Sequence, residues 1–227
     1  GASLAFTYQG EAFGKRVAPL AASLGSDLLV DADVQDDASL DRAFAALKDK
    51  WGTIDFLVHA IAFSDKNELT GRFINTTREN FKTSLSISCF SFIDVARRAA
   101  EIMPDGGTLL TLTYQGSNRV TPFYNVMGVA KAALEASVRY LAHELGPAGI
   151  RVNAISAGPV RTRAASGIDH FDELVAESAR ASALRRPVTQ CEVGRVALML
   201  ASDYAAGISG EVVHVDAGFH ISGMVFH

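Results

Sequence analysis

The chain has 227 residues and a mass of 24.1 kDa, enough for one sizeable domain. With 48% hydrophobic and 20% charged residues it can build a core, which excludes a disordered chain, and a net charge of -4 excludes a nucleic-acid binder living on phosphate contacts. Two cysteines, Cys89 and Cys191, make no disulfide framework and fit a reducing, cytoplasmic setting, and no apolar run reaches the roughly 18 residues of a membrane-spanning helix.

The chain opens Gly1-Ala2-Ser3-Leu4-Ala5-Phe6-Thr7-Tyr8, which lacks the pattern of a signal peptide and already reads as a buried strand over Leu4 to Tyr8. Phe13, Val17, Leu20 and Leu24 fall on one face of a helix over Glu11 to Leu24. Asp27 to Val34 is a second strand. Ser39 is the expected cap of a helix that carries Leu40, Phe44 and Leu47 and ends at Trp51-Gly52. Ile54 to Ile61 reads as a strand buried on both faces, and a long helix follows over Arg78 to Met103. Pro104-Asp105-Gly106-Gly107 is a turn before a strand over Thr108 to Tyr114. A helix over Tyr124 to Leu145 ends at Gly146-Pro147, and Ile150 to Ser156 is the next strand. After a stretch rich in small residues, Ala157 to Ile168, come helices over Phe171 to Ala183 and Gln190 to Ala201. Glu211 to Val215 is the last strand.

This alternation predicts an α/β fold, a doubly wound parallel sheet of Rossmann type with helices on both faces. No linker, repeat or low-complexity tract divides it, so residues 1–227 read as one domain. Ligands in such folds bind at the carboxyl ends of the strands. Gln9, after the first strand, suits a ribose hydroxyl but cannot neutralise a 2′-phosphate, which favours NAD over NADP. Asp33-Val34, after the second, offers a carboxylate to an adenine amino group, although an Asp approaching a helix is common in any α/β protein. His59-Ala60-Ile61-Ala62, after the third, has small residues that let a ligand reach the backbone; ordinary close packing would look the same.

The strongest signal is Tyr114 with Tyr124 and Lys131. Tyr114 ends a strand. Tyr124 and Lys131 lie seven positions apart on one helix, nearly two turns and about 10 Å along its axis, and so share a face. A phenol and an ammonium facing one cleft can stabilise a developing oxyanion and hold ribose hydroxyls. Tyr-x6-Lys alone is a weak motif; its place after the fourth strand gives it weight. The segment Ser156-Ala157-Gly158-Pro159-Val160-Arg161-Thr162, continuing to Ala164-Ala165-Ser166-Gly167, suits a substrate loop. The six histidines show no metal spacing, and none is assigned to a metal.

Tyr124-Asn125-Val126-Met127-Gly128-Val129-Ala130-Lys131-Ala132 and Arg151-Val152-Asn153-Ala154-Ile155-Ser156-Ala157-Gly158-Pro159 resemble the bacterial NADH-dependent enoyl-[acyl-carrier-protein] reductases. These are divergent members of the short-chain dehydrogenase/reductase superfamily. Phe6-Thr7-Tyr8-Gln9, Leu110-Thr111-Leu112-Thr113-Tyr114, Ala164-Ala165-Ser166-Gly167-Ile168 and Gly207-Ile208-Ser209-Gly210-Glu211-Val212 fit the same family, in order along the whole chain. The resemblance implies reduction of a trans-2-enoyl thioester on acyl carrier protein by NADH, the last step of fatty-acid elongation. It makes Tyr114, Tyr124 and Lys131 the catalytic set. It places Gln9, Asp33, Val34, Ala60, Ile61, Ala62, Lys131, Val160 and Thr162 on the cofactor. Tyr114, Tyr124, Met127, Ala164, Ala165 and Ile168 would lie on the substrate, within a loop region over 157–183. It also implies a homotetramer, with the apolar tail Ile221 to Phe226 in a buried interface.

Some residues depart from that family's pattern. Ala62 stands where glycine is usual and would crowd the cleft, and Arg163 stands where the loop is usually apolar. Arg163 with Arg161, Arg180, Arg185 and Arg186 offers a docking surface for an acidic carrier protein or, on the blander reading, a solvated face. The family also begins with a strand and a glycine-containing phosphate loop. The expected place of that strand is between those at Leu4 and Ile54, so the chain is expected to be about 30 residues short at its amino end. A ketone or alcohol reductase of the same superfamily is the first competing reading. It would carry Tyr-x3-Lys and an upstream serine, where this chain has Gly128 and a tyrosine. A non-catalytic dinucleotide-binding protein is the second.

Overall fold

Parallel strands form two hydrogen-bonded ladders in the computed structural model, which describes residues 1–162 and 170–222. β1 (Ala5–Tyr8) pairs with β2 (Leu28–Asp31), Ala5 opposite Leu28. β3 (Phe56–His59), β4 (Gly107–Thr113), β5 (Ile150–Ala157) and β6 (Val212–Val215) form the second ladder in that order. Helices α1 (Glu11–Ser23), α2 (Asp37–Trp51), α3 (Lys66–Leu69), α4 (Arg78–Leu85), α5 (Ser91–Ala100), α6 (Asn125–Leu145), α7 (Phe171–Ala181) and α8 (Gln190–Ala201) alternate with the strands.

The alternation of side chains along each strand sorts the core into two layers. Leu109, Val152 and Ala154 point to one face and pack with Phe92, Val95, Leu134 and Val138 of α5 and α6. Leu110 and Ile155 point to the other face, against Leu200 of α8. Registers align across the sheet, so Thr113, Ser156 and His214 sit side by side at its carboxyl end on the α6 face.

Several boundaries differ from the sequence reading. Asp36, not Ser39, caps α2, accepting from the Ala38 N–H at 3.0 Å. Ser39 is buried one turn in, where its hydroxyl accepts from the Asp33 N–H. The expected single helix over Arg78 to Met103 is three pieces, because residues Ser86–Phe90 form a π-helix between α4 and α5. β3 is shorter than expected and not buried on both faces: Val58 is 46% exposed. Among the described residues no ladder joins β1 to β3, so each presents an open edge.

Arg98 of α5 staples α5 to α2. Its side chain, 5% exposed, donates to the buried Asp94 carboxylate and from Nε to Asp41 at 2.7 Å, and lies 3.3 Å from Asp37. Removing the guanidinium leaves the buried Asp94 carboxylate with the half-exposed Arg97 alone, 3.1 Å away, as its countercharge, and unties α5 from α2. Arg98→Ala is expected to lower stability by about 3 kcal/mol in urea unfolding, and Asp41→Ala, at the exposed end, by about 1 kcal/mol.

Candidate active site

The site begins where β4 ends. Tyr114 leaves the strand with extended backbone, and residues Gln115–Ser117 then turn. Tyr124 is the residue before α6, not a member of it; its φ of -123° is non-helical, and its carbonyl accepts from the Met127 N–H at 2.9 Å. Lys131 lies on α6 itself, seven residues after Tyr124, and the charge of Glu135 acts on both. The Tyr114 and Tyr124 rings meet edge to face, centroids 5.1 Å apart at 69°.

Two glycines make this arrangement possible. A Cβ on Gly116 would lie 2.5 Å from the Tyr124 ring, and a Cβ on Gly128 would lie 2.6 Å from the Gly116 carbonyl oxygen. Gly128 is the fourth residue after Tyr124, where a Tyr-x3-Lys enzyme would carry its lysine. Here that position is filled by the backbone of the turn. The first lysine after it on the helix is Lys131.

Lys131 is 6% exposed, and its Nζ donates to the Leu112 carbonyl at 2.7 Å. Burial pushes its pKa down to about 8, against the opposing pull of Cys89 and Glu135. Burial raises the Tyr124 pKa well above the ordinary phenol value, and the charges of Tyr114 and Glu135 raise it further. Tyr114 is also raised, by burial first; a hydrogen bond with Gln115 opposes and the Asp216 charge adds. Both phenols therefore stay protonated and can donate.

The cofactor candidates lie at the carboxyl ends of β1, β2, β3 and β5. Gln9 and Asp33 meet directly, Gln9 Nε2 donating to Asp33 Oδ2 at 2.9 Å. Asp33 also accepts from the Gln35 N–H, while Val34 packs against the core. Ala60 and Ala62 are exposed, with Ile61 half-buried between them, just past β3. Val160 is half-buried and Thr162 exposed after β5. Met127 is buried, its sulfur 3.7 Å from the Ser88 hydroxyl. Ala164, Ala165 and Ile168, with Arg163, lie outside the described residues.

A serine stripe that the sequence reading missed fixes the turn after β3. Ser91 holds His59 Nε2 at 2.8 Å. Ser88 accepts from the Phe63 N–H at 2.9 Å, and Ser84 donates to Ser64 at 2.9 Å. Spacings of four and three put these serines on one helical face, and serines at that period amid apolar residues are a readable signal. The π-helix lies within the stripe, as such bulges often do near functional sites. His59 is 2% exposed, and burial, with the nearby Lys131 charge, pushes its pKa down to about 3. It is neutral. Ser91 donates its own proton to the Ile87 carbonyl at 2.6 Å, so Nε2 carries the hydrogen and Nδ1 accepts from Thr111, 2.9 Å away.

The His214 and His220 rings stack at 4.0 Å, and Asp216 lies 3.0 Å from His220 Nδ1. Cys89 is buried in the π-helix and Cys191 is exposed at the start of α8. Arg161, Arg180 and Arg186 pair with Asp172, Glu177 and Glu192, the pattern of a solvated face. Arg185 donates to the Arg180 carbonyl. Ile221 is 68% exposed, and residues 223–227 lie outside the described range.

Residues 1–220 match the family described as Enoyl-(Acyl carrier protein) reductase. The chain belongs to that family. It is 59% identical over 224 residues to enoyl-[acyl-carrier-protein] reductase [NADH] 2 of Rhizobium meliloti (strain 1021), covering 99% of this chain and 84% of the relative. Among solved structures it is similar to the enoyl-(acyl-carrier-protein) reductase of Anaplasma phagocytophilum in complex with NAD. The TM-score is 0.94 at 53% identity, over 99% of this chain and 84% of that one. It is also similar to the Bacillus cereus enoyl-acyl carrier protein reductase with NADP+ and indole naphthyridinone. There the TM-score is 0.96 at 49% identity, over 99% and 88% of the two chains.

Two predictions follow from the geometry. Gly128→Ala is expected to push the turn at Gly116 off α6 and to cost at least tenfold in kcat while the far-ultraviolet circular dichroism is retained. For His59, the unfolded state takes up a proton below about pH 6.5 and the folded state only near 3, so stability rises with pH across that window. Between pH 7 and 5 the wild type should lose about 2 kcal/mol that His59→Gln does not lose, measured by urea unfolding.

Proposed function

We propose that the chain reduces the 2,3 double bond of a trans-2-enoyl thioester carried on acyl carrier protein, with NADH as reductant, the last step of fatty-acid elongation. The observation that carries this reading is the Tyr124–Lys131 pair, with the Gly128 position closed by the Gly116 carbonyl. The donor set fits a dinucleotide. One of the three Lys131 N–H groups is taken by Leu112, leaving two for ribose hydroxyls, and Gln9 and Asp33 form a neutral-to-acidic pair that suits an adenosine without a 2′-phosphate. Val34, Ala60, Ile61, Ala62, Val160 and Thr162 complete the cofactor side.

NADH supplies the hydride, which adds to the β-carbon of the enoyl group. The C=C bond becomes an enolate whose charge settles on the thioester oxygen. Tyr124, protonated and half-buried, donates a hydrogen bond to that oxygen. Lys131 holds a positive charge beneath the same cleft and orients ribose hydroxyls. Tyr114 lines the acyl pocket with its ring set edge-on against Tyr124, which limits rotation of both. Met127, Ala164, Ala165 and Ile168 belong to the acyl side. A proton delivered to the α-carbon completes the saturated thioester.

A parallel strand between β1 and β3 would join the two ladders into one doubly wound sheet, a reading supported by their open edges. The acyl-carrier partner and a cytoplasmic, homotetrameric state belong to the same proposal. Exposed apolar side chains on the outer faces of α5 and α6, Ile93, Val129 and Tyr140, support an assembly. So do Leu198 and Tyr204 beyond them, and no described helix is long and apolar enough to cross a membrane.

NADH oxidation with crotonyl thioester, compared with acetoacetyl thioester, tests the reaction: turnover confined to the acetoacetyl compound would sink the reading. Tyr124→Phe is expected to lower kcat about 100-fold with little change in KM for NADH. Loss of the Lys131 proton should make kcat/KM fall as pH rises through about 8, tenfold per unit; a rate level to pH 10 would contradict that role.

A further inference from the structure

Tyr124 stands between two residues in the left-handed region, Phe123 at φ 59° and Asn125 at φ 30°. Neither is glycine. Such backbones persist only where the surroundings over-determine them. For Asn125 the determining contacts are explicit. Its Nδ2 donates to the Glu68 carbonyl at 2.9 Å and reaches the Thr70 carbonyl at 3.4 Å. Those carbonyls close α3, in the strap that runs from the Ala60–Ala62 turn to α4.

The strap is itself anchored. The Glu68 carboxylate accepts from the Thr77 N–H at 2.9 Å, the Thr77 hydroxyl at 2.8 Å and Asn80 Nδ2 at 3.2 Å. Those bonds hold its pKa below the usual carboxylate value, so the anchor is charged at neutral pH. Asn80, 6% exposed, accepts in turn from the Asp65 N–H at 2.9 Å. Asn125, the residue that follows Tyr124, therefore bolts the start of α6 to a fixed strap. Asparagine suits the place twice over: it tolerates positive φ, and its amide offers two donors to two carbonyls.

We propose that Asn125 is a positioning residue for the reduction. By bonding the α3 carbonyls it holds the backbone that aims the Tyr124 hydroxyl, and it ties that aim to the turn after β3. This rests on the enoyl-reductase reading, in which Tyr124 donates to the enolate oxygen.

The test uses the full-length chain and three variants. Asn125→Gly keeps the left-handed backbone and removes the amide. Asn125→Asp keeps the shape and sets an acceptor against two carbonyls. Glu68→Ala frees the strap from its other end. The readouts are kcat on crotonyl thioester, KM for NADH, and the ¹⁹F resonance of Tyr124 in 3-fluorotyrosine-labelled protein, assigned with Tyr124→Phe. Both Asn125 variants are expected to lose at least tenfold in kcat with KM for NADH within twofold, and to shift or broaden the Tyr124 resonance. Glu68→Ala should do the same more weakly, and it carries the test should the Asn125 variants fail to fold. Wild-type kcat with an unmoved resonance, or a loss confined to KM, overturns the proposal. A wild type that reduces no enoyl thioester sinks the functional reading instead, and the resonance then still decides the positioning role.

Discussion

The ammonium of Lys131 lies almost wholly inside the protein and donates to the Leu112 carbonyl at the end of β4. An ion in that setting is costly unless its protons find acceptors. The strand end supplies one, and so joins α6 to β4 at the point where the chain leaves the sheet. Next to it, Thr113 donates to Glu135 at 2.7 Å, a second tie between the same two elements one turn further along. The register of β4 on α6 is thereby fixed from two polar points, and Tyr114, the next residue, inherits its position.

Close approach then does what polar contacts cannot. With no side chain at Gly128, the turn after Tyr114 lies directly on α6, its Gly116 carbonyl filling the space that a side chain would take. Gly116, itself bare, admits the Tyr124 ring. The same contact excludes a lysine one turn after Tyr124 and leaves room for one two turns after it. The Tyr-x6-Lys spacing of this chain is in this sense a packing constraint.

Much of this was legible in the sequence because it depended on local periodicity. The strand ends carrying Gln9, Asp33 and Tyr114, and the helix carrying Lys131, follow from apolar patterns that burial enforces. Gln190–Ala201 coincides with the expected helix, and Thr189 and Glu192 close its start with a reciprocal cap. What was hidden depended on partners far apart in the chain. Nothing local distinguishes a π-helix at Ser86–Phe90 from two more turns of α-helix. Its serines gain meaning only when Phe63 and His59 are set beside them. The pairing of Asp216 with His220 lies in a turn with no apolar period to announce it. Val58 reads as a core residue by composition and is exposed, because β3 lies at the edge of its sheet among the described residues.

The buried Lys131 charge also acts on a second buried titratable group, His59. The Lys131 charge is one reason that His59 stays neutral, after burial itself. A neutral imidazole must choose one tautomer, and the short Ser91 bond to the Ile87 carbonyl decides which. That choice sets Thr111 as donor and Ser91 as acceptor, closing a chain from β4 through β3 to α5. Were His59 protonated, both ring nitrogens would donate and the Thr111 hydroxyl would have to turn away toward the His59 carbonyl, 3.2 Å distant. The buried Lys131 cation thus also keeps rigid the turn after β3.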